Sequence, residues 1–331
     1  MVRLSNSSLP SLREIEAAES RIRKYIPPTP LEQSPGVSQL LGRDVYLKLE
    51  TFQPIRVFKI RGALNKLLTL GDSALRKGVI TASSGNHGFA IAYASRLFGV
   101  KAVICVPMNV NPQKLRAIEE QGAEIVRFGQ GYDEANAHAS AEAARRGLTF
   151  VHAFDDHDVI AGQGTCGLEI ARQLPDLDSV VVGIGGGGLI SGIAIAVRET
   201  LEHSVVYGAE TVAIPSMYES LKAGRRVKID PGKTIADGMQ AAIPGELTYE
   251  AVRKYVGKVG LVTDSELEDA IYDLLTLGRV LAEPAGASPL AAMKGPLRDV
   301  KGTRTVLVVS GGNISVDLLT SILTRKAKQT S

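Results

Sequence analysis

Val180-Val181-Val182-Gly183-Ile184-Gly185-Gly186-Gly187-Gly188 is an apolar, mostly β-branched run that ends in four adjacent glycines. A helical pattern follows it from Leu189 to Thr200. A turn without side chains between a buried strand and a helix N-terminus exposes backbone N–H groups, and the helix dipole adds positive potential at the same point. Close packing explains one or two glycines, but each one costs backbone entropy on folding. Four in succession therefore predict a binding site for a phosphorylated ligand.

The composition is that of a globular chain with a small net charge. The chain has 331 residues, of which 44% are hydrophobic and 22% charged, and this length suffices for two domains. The formal net charge is +3, and the denser basic clusters are confined to residues 222–228 and 325–328. Short clusters of this kind are usual on solvated surfaces, so no nucleic-acid partner is expected.

The cysteines and the apolar runs exclude further classes. Cys105 and Cys166 have no CxxC or His-rich spacing, so neither a disulfide framework nor a zinc site is indicated. Residues 1–10 lack the apolar stretch of a signal peptide, and no run of about 18 apolar residues occurs. We therefore expect no membrane association and a cytoplasmic location.

Short β-branched runs alternate with longer amphipathic stretches, which predicts an α/β fold with mostly parallel sheets in three-layer αβα lobes. The expected strands cover residues 45–49, 78–81, 102–106, 124–128, 150–153, 180–184, 205–209 and 305–309. Expected helices include 61–70, 111–121, 189–200 and one that begins at Asn86. We assign 75–154 to a small domain and 1–74 with 155–331 to a large one, with a ligand cleft between them.

Three further segments carry candidate chemistry. Lys59 follows Phe58 at the start of a helical stretch, where desolvation would lower the pKa of its amine and make it nucleophilic. The turn Ser83-Ser84-Gly85-Asn86-His87-Gly88 joins a strand to a helix and suits a carboxylate, although its serines could instead cap the helix. Ser310-Gly311-Gly312-Asn313 follows a strand, so Ser310 either faces the ligand of the glycine loop or caps the next helix.

A dinucleotide enzyme is the first alternative. Gly183, Gly185 and Gly188 satisfy GxGxxG, and Glu210 ends the next strand where a ribose-binding acid belongs. Its distance of 27 residues from Gly183 exceeds the usual interval of about 20. A nicotinamide-dependent oxidoreductase or a non-catalytic binding protein would both leave Lys59 without a role.

Five motifs together resemble the fold-type II pyridoxal-phosphate enzymes, and most closely the threonine or serine dehydratases and serine racemase. They occur in that family's order and extend over most of the chain. The motifs are Phe58-Lys59, Ser83-Ser84-Gly85-Asn86-His87-Gly88, Gly185-Gly186-Gly187-Gly188-Leu189, Glu283-Pro284-Ala285-Gly286-Ala287 and Ser310-Gly311-Gly312-Asn313.

The resemblance implies a role for each cofactor-binding residue. Lys59 would hold pyridoxal 5'-phosphate covalently, and Phe58 and Gly238 would flank its ring. Asn86 would bond the ring hydroxyl, and Gly185, Gly186, Gly187 and Gly188 would take the phosphate. Ser310 would contact the ring nitrogen. A neutral hydroxyl there does not force protonation of the nitrogen, so the ring withdraws electrons less strongly, which favours elimination.

The resemblance also implies a reaction. Ser83, Ser84, Asn86 and His87 would bind the substrate carboxylate, and Lys59 would remove the α-proton of L-threonine or L-serine. Loss of the β-hydroxyl would then lead to a 2-oxo acid and ammonia. Racemisation is the nearest rival, because Ser84 would be the second acid or base in the family's racemases. Ala135 stands where the racemases have an arginine, which favours elimination.

Departures from the family pattern affect substrate and metal. Ile55, Arg56 and Val57 replace the usual Thr-Gly-Ser, so Arg56 could favour a second carboxylate, as in 3-hydroxyaspartate; phenylserine is another alternative. Glu210 matches the family's divalent-cation site, but Ser216 replaces its aspartate, which makes metal binding doubtful. The family implies a homodimer, and a separate regulatory domain is not expected.

Overall fold

The part of the chain that the structure describes forms two separate β-sheets with helices packed against them. A computed structural model describes residues 8–108, 110 and 112–330. The strands in these residues are β1 (Leu31–Gln33), β2 (Asp44–Leu49), β3 (Val79–Ala82), β4 (Ala102–Val106), β5 (Glu124–Arg127), β6 (Thr149–Phe150), β7 (Ser179–Gly183), β8 (Val205–Thr211), β9 (Val256–Val262) and β10 (Arg304–Val309). The helices are α1 (Leu12–Ile22), α2 (Pro35–Leu41), α3 (Lys59–Thr69), α4 (Asp72–Lys77), α5 (Asn86–Phe98), α6 (Pro112–Glu119), α7 (Tyr132–Arg146), α8 (His157–Gln173), α9 (Gly188–Thr200), α10 (Ser216–Ala223), α11 (Glu246–Tyr255), α12 (Asp264–Thr276), α13 (Pro284–Lys294) and α14 (Val316–Thr330), with 3-10 turns at Glu50–Phe52 and Asp237–Met239.

Both sheets are built mainly from parallel strands. The larger has the order β1-β2-β10-β7-β8-β9, and the smaller has the order β5-β4-β3-β6. The pairing of β1 with β2 is antiparallel, whereas the other neighbours run parallel. Parallel strands need crossover connections, usually helices, which cover the faces of the sheet.

The burial pattern shows that the larger sheet is covered on both faces. Val181 and Leu307 belong to a core cluster with residues of α12 and α13. Their neighbours Val180 and Val306 belong to a different cluster, with residues of α9. Because successive side chains of a strand point to opposite faces, the sheet lies between two helical layers. The expected three-layer α/β fold is therefore confirmed.

Most expected strands and helices agree with the structure. The prediction for 102–106 matches β4 at both ends, and α5 begins at Asn86 as expected. The predicted strand 150–153 is wrong beyond Phe150. The N–H of Val151 still donates to the carbonyl oxygen of Ile80, but the chain then turns at His152, whose Nδ1 accepts bonds from the N–H groups of Phe154 and Asp155. The predicted helix 111–121 corresponds to α6, and Asn111 lies outside the described residues.

The four strands of the smaller sheet lie between residues 79 and 150. The division into a small domain of 75–154 and a large domain from the rest remains a prediction. In the described part of the chain, no helix combines the length and apolar character needed to cross a membrane.

Candidate active site

A pocket lies at the carboxyl ends of β7 and β10, which are neighbours in the larger sheet. It brings together most of the residues that the sequence predicted for cofactor binding. Its walls are Phe58, Lys59, Phe154, Gly183, Gly185, Gly186, Gly187, Gly188, Leu189, Gly238, Met239, Ala285 and Ser310. Ligands in open parallel sheets meet the carboxyl ends of strands, so the topology supports a binding site here.

The glycine loop is packed too tightly for side chains. A Cβ built on Gly185 would lie 2.7 Å from the carbonyl oxygen of Gly238, and one on Gly186 would overlap the ring of Phe154. Gly187 has φ +91°, a left-handed conformation that favours glycine. The loop leads directly into α9, whose N-terminus carries positive potential. It can therefore bring backbone N–H groups up to an anion.

Lys59 begins α3 and faces the same pocket. Its Nζ donates a 2.9 Å hydrogen bond to the carbonyl oxygen of Ala153 and lies 5.1 Å from the centroid of the Phe58 ring. Burial lowers the pKa of the Lys59 amine to about 8, although the carboxylate of Glu283 acts in the opposite direction. A larger fraction of this amine is neutral near pH 7 than of an ordinary lysine, as a nucleophile or base requires.

Backbone contacts join the start of α3 to the end of β10. The N–H of Phe58 donates a 3.0 Å bond to the carbonyl oxygen of Ser310, and Val57 forms an antiparallel bridge with Gly311. Ser310 is 4% exposed. The structure thus holds Lys59 and Ser310 on adjoining walls of one pocket.

Asn86 lies in a polar network beside this pocket. Its Nδ2 donates to both carboxylate oxygens of Glu283, at 2.9 and 3.0 Å, and its Oδ1 accepts a 2.8 Å bond from Asn313. Burial raises the pKa of Glu283, while the bond from Asn86 opposes the change. A Cβ built on Gly238 would lie 3.9 Å from Oε1 of Glu283, which connects the network to the pocket wall.

The predicted carboxylate-binding turn precedes α5, and its helix cap is Gly85 rather than a serine. The Ser83 hydroxyl accepts a 3.3 Å bond from the N–H of Gly85, and Ser84 is half-buried. The His87 ring is buried and lies 3.3 Å from the carbonyl oxygen of Val151. Burial, together with the charge of Lys59, lowers the pKa of His87 to about 3. The imidazole is therefore neutral near pH 7.

Glu210 caps a helix. Its two carboxylate oxygens each accept a 2.8 Å bond, from the N–H groups of Met217 and Tyr218 at the start of α10. Burial raises the pKa of Glu210 to about 8. Among the described residues, no group of three or more His, Cys, Asp or Glu side chains is arranged to hold a metal ion.

Sequence reasoning missed a buried ionic cluster two residues beyond Lys59. The Arg61 guanidinium contacts the carboxylates of Glu50 and Glu169 at 2.7–2.9 Å, and Lys48 contacts Glu169 at 2.7 Å. Burial alone would raise the pKa of Glu50, but Arg61 outweighs it and lowers the value to about 2. The resulting stabilisation is present above about pH 4.3 and is lost as the pH falls towards 2. The cluster fixes the first turn of α3.

Phe154, Asp155 and Thr248 were also missed. Phe154 covers the glycine loop, and the Asp155 carboxylate accepts bonds from the first N–H groups of α11, including those of Glu246 and Leu247 at 2.9 Å. Thr248 donates to the carbonyl oxygen of Gly186 at 2.7 Å. The Asp that follows an aromatic residue could have been recognised as a possible helix cap, but nothing local indicates which helix it caps.

The pocket fits pyridoxal phosphate. The glycine loop lines the pocket with bare backbone at the N-terminus of α9, and a lysine amine with a lowered pKa lies on an adjoining wall. The fold and these residues define a fold-type II pyridoxal-phosphate enzyme. A family model described as "Pyridoxal-phosphate dependent enzyme" matches residues 22–311, and the chain belongs to this family. The expected cofactor is therefore confirmed, and the nicotinamide alternative loses its basis.

Individual relatives agree with this assignment. The chain is 44% identical to L-threonine ammonia-lyase of Geobacter sulfurreducens over 94% of this chain and 77% of the relative. It is 40% identical to L-threonine ammonia-lyase of Thermotoga maritima, over 95% and 78%. The solved structure of maize serine racemase superposes with a TM-score of 0.91 at 31% identity and covers 98% of this chain and 99% of its own.

Proposed function

We propose that this chain is an ammonia-lyase that converts L-threonine or L-serine to the corresponding 2-oxo acid and ammonia. The observation that carries the proposal is the shared pocket of Lys59 and the glycine loop, in a chain 40–44% identical to two L-threonine ammonia-lyases. The β-hydroxyl leaves as one molecule of water, and a second molecule of water is consumed when the nitrogen is released as ammonia. The net products are therefore the 2-oxo acid and ammonia alone.

Each wall of the pocket has a part in holding the cofactor. Gly185–Gly188 would bind the phosphate, Phe58 and Gly238 would flank the ring, and Asn86 and Ser310 would meet its hydroxyl and its nitrogen. Bound pyridoxal phosphate supplies an electron sink for the bond that breaks at the α-carbon. Because Ser310 carries no charge, it does not force protonation of the ring nitrogen.

Lys59 would first anchor the cofactor through its amine and, once released by the substrate, accept the α-proton. A pKa of about 8 suits both tasks, since the amine can lose and regain a proton near neutral pH. The 2.9 Å bond to the carbonyl oxygen of Ala153 keeps Nζ at the pocket.

The turn before α5 would receive the substrate carboxylate. Ser83 and Ser84 contribute hydroxyls, Asn86 contributes an amide, and the start of the helix contributes backbone N–H groups. His87 would take part as a neutral ring, because its pKa is lowered to about 3. Recognition of the carboxylate therefore rests on hydrogen bonds and the helix dipole.

Racemisation of serine is the second candidate. Ser84 is half-buried on the turn before α5 and would supply a second acid or base, and the fold is similar to that of maize serine racemase. Against it, position 135 is a buried alanine on α7. We therefore rank elimination first.

A substrate panel tests the ranking. The holoenzyme is incubated with L-threonine, L-serine, their D-forms, phenylserine and 3-hydroxyaspartates, and ammonia, 2-oxo acid and residual enantiomers are measured. We expect ammonia and 2-oxobutanoate from L-threonine, with little D-amino acid. Appreciable D-serine from L-serine would favour the racemase, and the absence of ammonia from every substrate would refute the lyase. Lys59→Ala should abolish the product, whereas Lys24→Ala, at an exposed lysine, should not.

The assembly and location expected from the sequence remain predictions. We propose a homodimer on the basis of the family, and light scattering on the purified holoenzyme distinguishes it from a monomer. The cytoplasmic location is likewise a proposal, which fractionation of the source cells would test.

A further inference from the structure

Thr248, in the first turn of α11, contacts the glycine loop through its side-chain hydroxyl. Its side chain is fully buried, at 0% exposed, and its hydroxyl donates a 2.7 Å bond to the carbonyl oxygen of Gly186. A Cβ built on Gly187 would lie 2.9 Å from the Cβ of Thr248, so the two backbones approach this closely because residue 187 is glycine. The hydroxyl therefore reaches the loop from the protein interior, while Gly186 and Gly187 line the pocket.

The direction of this bond determines the direction of a neighbouring donor. In a trans peptide the C=O and the following N–H point in opposite directions. The peptide between Gly186 and Gly187 is trans. Its carbonyl points at Thr248, so the N–H of Gly187 points away from Thr248. A peptide between two glycines has no side chains to restrict its rotation, and an external bond is needed to hold one orientation.

Thr248 is itself held at both of its backbone groups. The Asp155 carboxylate accepts a 3.4 Å bond from its N–H, and the Ser191 hydroxyl donates a 3.4 Å bond to its carbonyl oxygen. Asp155 also lies against Gly245, where a Cβ would collide with the carboxylate. The hydroxyl therefore projects from a helix turn that is anchored on α9 and on the segment that covers the loop.

We propose that Thr248 is a positioning residue, which aims the Gly187 N–H into the phosphate-binding turn by holding the Gly186 carbonyl away from it. This inference rests on the proposed function, because it assumes that the glycine loop binds the cofactor phosphate. Without the hydroxyl, the Gly186–Gly187 peptide can rotate and present its carbonyl oxygen to the anion. Such a change weakens binding of a phosphorylated ligand and leaves its unphosphorylated analogue unaffected.

Two variants and two ligands test the proposal on the apoenzyme. Thr248→Val has nearly the same shape without the donor, and Thr248→Ser keeps the donor. Absorbance titration gives the Kd of pyridoxal 5'-phosphate and of pyridoxal, which lacks the phosphate. We expect Thr248→Val to weaken pyridoxal phosphate about tenfold, as the loss of one hydrogen bond predicts, with pyridoxal unchanged. Thr248→Ser should bind both ligands like the wild type.

Some outcomes would overturn the positioning role. One is that Thr248→Val binds pyridoxal phosphate with a Kd within twofold of the wild type. The other is that Thr248→Val loses affinity equally for pyridoxal phosphate and for pyridoxal. In either case, wild-type enzyme that binds pyridoxal phosphate and forms 2-oxobutanoate leaves the proposed function intact. Wild-type enzyme that binds no pyridoxal phosphate would instead refute the proposed function itself.

A measurement on the wild type keeps the test independent of how well the valine variant folds. Labelling glycine with ¹³C at the carbonyl and ¹⁵N at the amide selects the glycine amides that follow another glycine, which in this sequence are those of Gly186, Gly187, Gly188 and Gly312. Addition of inorganic phosphate to the apoenzyme should move the Gly187 amide proton downfield and leave that of Gly312 in place. The proposal would be contradicted if the Gly187 signal did not move at concentrations of inorganic phosphate that compete with the binding of pyridoxal phosphate.

Discussion

Gly186→Ala should weaken binding of the cofactor phosphate because the added methyl group disturbs the glycine loop. The added Cβ would collide with three ring carbons of Phe154, all well within 3 Å. Ordinary contacts between carbon atoms are about 3.5–4.0 Å, so the ring or the loop must move by roughly 1 Å. The loop carries the N–H groups that we propose bind the anion, and Phe154 itself lines the pocket. Either movement damages the binding site.

The expected size follows from the cost of overpacking. An extra methyl group in a well-packed region costs about 1–3 kcal/mol. If the cofactor binds only the native arrangement of the loop, the same free energy is lost from binding, which corresponds to a Kd for pyridoxal phosphate raised roughly 5- to 150-fold. Absorbance titration of the apoenzyme measures this change. Gly71→Ala is the matched control, because a Cβ there has nothing within 4 Å.

A double mutant identifies the collision as the cause. Phe154→Ala removes the ring and by itself weakens one wall of the pocket. If the ring causes the damage, the pair Gly186→Ala and Phe154→Ala should bind no more weakly than Phe154→Ala alone, which is a strongly non-additive result. Losses that simply add, or a folded Gly186→Ala protein with wild-type affinity, would refute the reasoning.

The remaining predictions concern Lys59, Arg61 and Arg56. The rate at which apoenzyme captures pyridoxal phosphate should rise with pH to a midpoint near 8, because burial lowers the pKa of the Lys59 amine; a stopped-flow series finding a midpoint above 10 would contradict this. Arg61→Met should cost about 3–5 kcal/mol in urea denaturation, since it leaves the carboxylates of Glu50 and Glu169 buried without their main partner. The loss of stability should be smaller at pH 5, where protonation can neutralise the unpaired carboxylates of the variant, than at pH 8, where they stay charged. A loss that does not depend on pH would count against this explanation. Arg56→Gly should stabilise the fold by up to about 1 kcal/mol, because Arg56 has φ +61° and a left-handed arginine costs more than the extra chain entropy of glycine. Arg56→Ala is its control and should bring no gain in the same measurement.

The parts of the fold that the sequence predicts have local signals. The run of five buried residues in β4 matches its expected ends because every side chain in it is buried and the run lies between the charged Lys101 and Pro107. The glycine loop is recognisable for the same reason, since four glycines between an apolar run and a helical pattern need no knowledge of distant residues.

Two strands could not be read from the sequence. β1 is three residues long and is fixed by antiparallel pairing with β2, a contact that no local pattern specifies. β9 contains Gly257 and Gly260, which interrupt the apolar pattern. A Cβ on Gly260 would lie 2.9 Å from Pro296, so this glycine reflects close packing against a segment far away in the chain.

The same limit applies to the site. Lys59 and Asn86 carry recognisable motifs, but Thr248 acquires its contact with Gly186 through tertiary structure alone. Nothing local in the sequence marks Arg61 and Glu50 as buried, and each is buried because the other compensates its desolvation. Pairing of this kind depends on positions that lie far apart in the sequence.

Chemical trapping of the cofactor tests most directly whether Lys59 and the glycine loop serve one ligand. The holoenzyme is reduced with borohydride, digested and mapped by mass spectrometry. We predict one phosphopyridoxyl group, attached to Lys59, which is absent from Lys59→Ala and present in Lys24→Ala. Attachment to a different lysine, or full lyase activity without any attached group, would contradict the assignment.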